Sequence, residues 1–278
     1  MKKTFLFSAL VLFFAACEKV ADIKLPQTPP MMAVFGFVEQ GKEVQVKLEK
    51  VVPIFGKTKE EPVPISGALV VVREGANSYI LTEDLGIPGT YTFNGGFQGE
   101  AGKSYDLEVK MAGFPDLKAS CQVPEYVPAW VSHKYVAVPD PDGYTDSVRR
   151  IGYTWPDRQG TKDYYRFNAI AKFNGNIETY VQFVDQNMAD DSKDGEALYT
   201  GLGTFWQNTM GMPGNSLDVN FELMILDVHA FKYMRTFDAA YYNDGNPFAE
   251  PVIMYTNVEG GIGVFGGVNR IVFNTKIY

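Results

Sequence analysis

The sequence predicts a mainly β protein: two successive β-rich domains, with a single α-helix in the second. Three observations predict it. Apolar and polar residues alternate along many short stretches, as where Val44, Val46 and Leu48 interleave with Gln45, Lys47 and Glu49; that is the pattern of a strand with one buried face. Turn chemistry built on Gly, Pro and Asn punctuates these stretches, as in an all-β sandwich. One stretch alone has helical spacing, with Val228, Phe231, Met234, Phe237 and Tyr241 in a stripe.

The elements follow in chain order. Met1, Lys2 and Lys3 precede an apolar run from Phe5 to Phe14, broken only by Ser8, and then come Ala15, Ala16 and Cys17. A basic start, a short apolar run and small residues before a cut make a secretory leader; a bilayer-spanning helix needs about 20 apolar residues. Phe14-Ala15-Ala16-Cys17 resembles the bacterial lipobox, with Phe14 where Leu is more usual. The resemblance implies removal of residues 1–16, diacylation of the Cys17 thiol and acylation of the new amine. Several chains together hold a protein on a membrane where one myristoyl chain does not. The alternative is an ordinary leader that happens to be followed by Cys. Residues 17–30 then form a lipidated cysteine and tether, with Pro26, Pro29 and Pro30 favouring extended backbone.

Residues 31–124 read as a β-sandwich. After the Val44–Leu48 strand come Ala68–Val72, Tyr79–Thr82, Thr90–Phe93 and Tyr105–Val109, separated by Gly75-Ala76-Asn77, Pro88-Gly89, Gly95-Gly96 and Gly102-Lys103. Ile65-Ser66-Gly67-Ala68-Leu69-Val70-Val71, Gly89-Thr90-Tyr91 and Gly102-Lys103-Ser104-Tyr105 resemble immunoglobulin-like and transthyretin-like modules of extracellular bacterial proteins. The Pro-rich stretch from Val123 to Pro128 marks a boundary. Residues 125–278 read as a larger β domain. In it Tyr164–Phe173 and Ile177–Phe183 flank Asn174-Gly175, a hairpin signal. Leu217, Val219, Phe221 and Leu223 alternate with polar residues. A helix over 227–242 is capped by Asp227 and followed by Gly245, and Arg270–Tyr278 is a last strand.

Charge excludes some partners. The formal net charge is −8, and loss of Lys2 and Lys3 with the leader takes it to −10. An acidic surface does not suit nucleic acid, whose phosphates need Lys and Arg, nor peripheral binding to anionic lipid. With Cys17 acylated, Cys121 is alone, so an intrachain disulfide and a cysteine zinc site are both excluded; its alternating surroundings favour a buried structural thiol over a reactive one.

Motifs for chemistry are weak. Gly261-Ile262-Gly263-Val264-Phe265-Gly266 fits a dinucleotide fingerprint, but that motif needs a following helix and a distant acid. Here a strand follows, so the glycines serve a bulge, a turn or a close backbone approach. Asp190, Ser192 and Asp194, with Gly195, match the start of a calcium loop, yet Gly201 stands where a bidentate Glu is required. These residues are a weak metal candidate beside the plainer reading as a solvated acidic loop. His133 and His229 are the two histidines, and neither a nucleophile elbow nor a His-Glu-x-x-His motif occurs. No catalytic residue and no cofactor is indicated, although a carboxylate pair brought together in space would not be visible in sequence. The candidate binding residues are Tyr241, Tyr242, Asn243, Asp244, Asn246 and Phe248, a polar turn flanked by aromatic rings, as in recognition loops. A helix C-cap with a packed Phe248 is the structural alternative.

Taken in order, four features resemble the Bacteroidota lipoproteins catalogued as domain of unknown function 4249. They are Cys17 with its tether and first strand; Val51-Val52-Pro53-Ile54-Phe55 leading to Pro64-Ile65-Ser66-Gly67-Ala68; Gly89-Thr90-Tyr91 with Gly102-Lys103-Ser104-Tyr105; and the ending through Asn246-Pro247-Phe248, Pro251, Asn257, Gly260-Gly261 and Gly263-Val264-Phe265-Gly266. The resemblance implies a lipid-anchored outer-membrane protein, facing the cell surface, often encoded beside a TonB-dependent transporter. It gives no catalytic residues. Glu18 and Asp22 are the acids close to Cys17, with Lys19 between them, a departure from the acid-rich start that favours surface display. The expectation is an accessory substrate-capture or gating partner of a TonB-dependent transporter barrel, held to the membrane by its N-terminal lipid; a surface structural or adhesive protein without a transporter is the alternative.

Overall fold

The computed structural model describes residues 30–51, 62–140, 142–143, 147–173, 177–183, 187–190, 194–205, 216–243, 246 and 249–277. Among them are seventeen strands and one helix, so the protein is mainly β. The strands are β1 Met32–Glu39, β2 Gln45–Lys50, β3 Val63–Pro64, β4 Leu69–Glu74, β5 Asn77–Glu83, β6 Thr90–Thr92, β7 Ser104–Lys110 and β8 Leu117–Gln122. They continue with β9 Ser132–Pro139, β10 Ser147–Pro156, β11 Tyr164–Phe173, β12 Ile177–Gln182, β13 Met188–Ala189, β14 Ala197–Tyr199, β15 Gly203–Phe205 and β16 Leu217–Leu226. Helix α1, Val228–Asn243, and the long β17, Ile262–Ile277, complete the chain.

One mixed sheet organises the molecule. β2 pairs antiparallel with β1, Met32 opposite Lys50. β1 pairs in parallel with the first half of β17, Ala33 opposite Ile262. The second half of β17 pairs antiparallel with β16, Leu226 opposite Val268. β16 pairs with β11, and β11 with β12. A smaller sheet, β5-β4-β7-β8, covers one end of this long sheet. Another, built from β9, β10, β14 and β15, covers the other end and is joined to it through β12. Arg270 ties the strands together at the crossing: its guanidinium pairs with Glu39 of β1 at 2.8 Å and with Glu222 of β16.

Alternation in sequence becomes burial in space. In β2, Val46 and Leu48 are buried and Gln45 and Lys47 exposed. They join Val34, Val70, Val72, Leu107, Val109, Cys121 and the distant Phe265 in a first core. A second core holds Ile151, Tyr153, Trp155, Phe167, Val219 and Phe221, with the Tyr153 and Phe221 rings stacked at 4.0 Å. In β16 the alternation gives way after Leu223 to an unbroken buried run, Met224, Ile225 and Leu226. The reason is α1, which covers the outer face there and packs Met224, Leu226 and Val268 against Ala230 and Phe231.

The glycines of the failed dinucleotide fingerprint lie on or just before β17, at backbone crossings. A Cβ on Gly263, whose φ is +111°, would stand 2.0 Å from the Val34 carbonyl oxygen. One on Gly261 would stand 2.6 Å from the Met32 carbonyl oxygen, one on Gly266 would meet Ala230 of α1 at 2.9 Å, and one on Gly267, just past the fingerprint, would stand 2.0 Å from the Gln122 carbonyl oxygen. Close approach is thus what these positions require. The Asn174-Gly175 turn lies outside the described residues, but the strands around it pair as a hairpin, Phe173 opposite Ile177.

Candidate functional site

Helix α1 begins on a cap. Asp227 Oδ1 accepts the Ala230 amide at 2.7 Å, satisfying a donor that the first helical turn leaves orphaned. Its Oδ2 accepts the Gln122 amide at 3.2 Å, and its own amide donates to the Gly267 carbonyl at 3.0 Å. Burial pushes the Asp227 carboxyl above its ordinary range, against the lowering effect of the Ala230, Gly267 and Gln122 backbone and of His229. Ala230 sits on Gly266, Phe231 stacks on Tyr164 at 4.7 Å, and Tyr233 meets Phe35 and Phe37 of β1.

The second half of the helix behaves differently. The stripe read from sequence is buried at Phe231 and half-buried at Val228 and Met234, but Phe237 and Tyr241 are exposed. Tyr233, Phe237 and Tyr241, four residues apart, form one line along the helix, with Tyr233 and Phe237 stacked at 6.4 Å. Tyr241 is 70% and Tyr242 79% exposed, their rings edge to face at 5.8 Å. The salt bridge from Asp238 to Arg166 of β11 at 2.9 Å holds this half in place. After the helix, Asn246 donates to the Asn243 carbonyl and Ala249 to that of Asn246. The chain then returns beside α1, where the Tyr255 amide donates to Thr236 Oγ1 at 3.0 Å and the Tyr255 hydroxyl meets His229 Nδ1 at 2.7 Å. Lys232 lies 5.5 Å over the Tyr255 ring, and Ile253 stands exposed on this return.

Of the sequence candidates, Tyr241, Tyr242, Asn243 and Asn246 are therefore together at the end of α1; Asp244 and Phe248 lie outside the described residues. Phe237 extends this surface along the helix and was missed as a surface residue. Helical spacing assigned Phe237 to the stripe without revealing where the sheet beneath it ends.

The acidic loop has a structural partner. Asp194 Oδ1 accepts the Gly160 amide at 2.6 Å, and a Cβ on Gly195, φ +76°, would meet Gln159. Asp157, buried beneath, accepts the Tyr165 hydroxyl at 2.7 Å. Burial, and next to it that bond, raises the Tyr165 phenol well above its ordinary range. Asp190 is half-buried at the end of β13, and Ser192 lies outside the described residues. Among the described residues, no group of three or more His, Cys, Asp or Glu is placed to hold a metal ion.

A cleft of about 810 Å³ lies between the two sandwiches at the start of α1, lined among others by Asp106, Glu125, Arg158, Asp163, Asp227 and His229. Arg158 is bidentate to Asp163, at 2.8 and 2.5 Å, and lies 4.6 Å over the Tyr126 ring. Cys121, at its wall, is buried, and burial raises its thiol well above the ordinary value, as in an inert structural thiol. His229 is occupied by Tyr255, and His133 is exposed on β9 against Tyr153, so the two histidines serve separate elements. Cys17 lies outside the described residues, and no helix among those described is long and apolar enough to cross a membrane.

A family model described as a domain of unknown function (DUF4249) matches residues 18–271. No curated protein and no solved structure matches the chain.

Proposed function

The chain belongs to the DUF4249 family, and from that premise we propose that it is a Bacteroidota outer-membrane lipoprotein, anchored through Cys17, that serves a TonB-dependent transporter barrel as an accessory capture or gating protein. The observation that carries the proposal is the aromatic line on the second half of α1. Phe237, Tyr241 and Tyr242 are exposed although the helix that bears them is fixed by the Asp227 cap and the Asp238–Arg166 pair. Large rings held rigidly in water lose little entropy on docking and bury much area, which is why Tyr is frequent at interface hot spots. The leader and Cys17 support the membrane location.

The test is recovery of partners from outer membrane with a C-terminal tag, read by mass spectrometry. The expected result is a barrel protein in stoichiometric amount. Its recovery should fall by on the order of tenfold or more when Tyr241 and Tyr242 are both Ala, the factor a hot-spot pair carries. The tagged protein emerging alone after mild detergent extraction would remove the transporter from the proposal and favour an adhesive role.

A further inference from the structure

Every strand end in the first sandwich lies at one of two poles, and the exposed large apolar side chains are gathered at one of them, except Ile80 in the middle of β5. β1 starts where β2 ends, with the Val51 amide donating to the Met31 carbonyl at 2.9 Å and Val63 of β3 opposite Lys50. The β5–β6 turn lies past the same end of β2, because the Leu48 amide donates to the Gly89 carbonyl at 2.8 Å. β4 starts there at Leu69, opposite Lys110, the last residue of β7; β17 starts there at Ile262, opposite Ala33. Met31, Val63, Leu69, Leu85, Ile87 and Ile262 are all exposed at this pole, Leu85 at 93% and Ile87 at 55%. Single exposed apolar residues such as Ile80 are ordinary on a protein surface, but six at one end are not.

The turn that presents Leu85 and Ile87 is held in shape. Asp84 Oδ1 accepts the Gly86 amide at 2.8 Å, and the Ile87 amide donates to the Asp84 carbonyl at 3.0 Å. Behind it the Glu83 carboxylate accepts the Gly89 amide, the Ser66 hydroxyl and the Gly67 amide, at 2.8, 2.6 and 3.0 Å. The opposite pole carries the Gly75-Ala76-Asn77 turn and, at Gln122–Pro124, the passage to the second sandwich.

We propose that this pole is a membrane-contacting surface, whose partner is the lipid bilayer itself and whose inserting residues are Leu85 and Ile87. The argument for lipid is where the chain enters. Residues 18–30 lead from Cys17 into this pole, at Met31, and can span at most about 45 Å when fully extended. A lipid on Cys17 therefore keeps this end close to the bilayer, so that even weak apolar contact becomes an intramolecular event at high effective concentration. At this pole the exposed Lys50 and Lys110 offset Asp84 and Asp116, so it carries little net charge and suits neutral rather than anionic headgroups. The inference rests on the proposed lipidation of Cys17 and is independent of the transporter.

The test uses the full lipidated chain in phosphatidylcholine vesicles, with an environment-sensitive dye on Leu85→Cys or, at the far pole, on Ala76→Cys. Cys121 is buried and stays unlabelled in the folded protein. The expected result is a blue shift at position 85, with loss of emission to lipids brominated in the acyl chain, and neither at position 76. A dye at 85 that remains in water on a vesicle-bound chain overturns the inference while leaving the anchor standing. A chain that separates from vesicles sinks the anchor and this inference together. A dye at 85 that is shielded only in native outer membrane assigns the pole to a protein instead, and overturns the lipid assignment.

Discussion

Replacing Phe265 by Ala tests how far the last strand belongs to the first core. Phe265 is fully buried in a core whose other buried side chains, Val258 apart, lie more than 140 positions earlier in the chain, and Asn257 clamps its backbone, donating to its carbonyl at 2.8 Å and accepting its amide at 3.0 Å. Loss of a buried Phe ring costs about 3–5 kcal/mol, a large part of the 5–15 kcal/mol that holds a typical domain folded. The ring also explains Gly36: a Cβ there would stand 2.9 Å from Phe265 Cδ2. Gly36→Ala alone should cost about 1–3 kcal/mol from overpacking, reduced by the ~0.5–1 kcal/mol that Ala recovers in a strand. With Phe265→Ala the clash disappears, so the double variant should be more stable than additivity allows by about 1–3 kcal/mol. The assay is urea unfolding read by two probes. Pulse reaction of the Cys121 thiol reports the first core, and Trp fluorescence reports the second half, since Trp130, Trp155 and Trp206 all lie there. Both midpoints should fall together in Phe265→Ala, because β17 is continuous between the cores. An additive cycle, or a Cys121 midpoint unmoved by the loss of Phe265, would refute the reasoning.

Two pH-linked predictions follow from carboxylates at opposite kinds of site. Asp227 has its folded pKa raised by burial, so between its ordinary value near 3.8 and that raised value the unfolded chain releases a proton that the folded one keeps; stability from this group falls as pH rises through that window. Asp227→Asn should therefore compare better with the parent at pH 7 than at pH 3.5, and thermal melts whose difference is the same at both pH values would contradict this. Glu83 has its folded pKa lowered, chiefly by the Gly89 amide and then by the Ser66 hydroxyl. Its contribution is present above the ordinary value of 4.5 and is lost as pH falls through the folded one. Because water screens it, Glu83→Gln should cost less than about 1 kcal/mol at pH 7 and progressively less as pH falls below 4.5, and a cost that does not shrink as pH falls would assign the effect to packing.

Most of the fold was legible because its strands are half-buried. β2, β7 and β16 alternate, and alternation is a local property that period-two reading detects. What reading could not reach is pairing between distant segments. β17 runs parallel to β1 for seven residue pairs, and Phe265 completes a core whose other strands lie far upstream. Nothing in Ile262–Val268 names β1 as its neighbour. The first half of β17 is buried on both faces and so carries no alternation at all, and its glycines imitate a phosphate-binding motif while serving backbone crossings.

The candidate site was legible to the extent that its chemistry is local. Tyr241-Tyr242-Asn243 drew notice as rings beside a polar turn, and the rings are exposed. Phe237 did not, because helical spacing treats every position of a stripe alike, whereas burial depends on where the sheet beneath it stops. The same physics governs Asp194, which in sequence resembles an ion ligand and in space accepts a backbone amide from Gly160. A carboxylate's partners are chosen by which loops the fold brings near it, and the spacing of acids within one loop cannot distinguish a cation from an orphaned N–H. Leu85 carries this furthest. In sequence it is one apolar residue in a turn, and it becomes a candidate membrane contact only because hydrogen bonding fixes that turn at the pole where the tether enters.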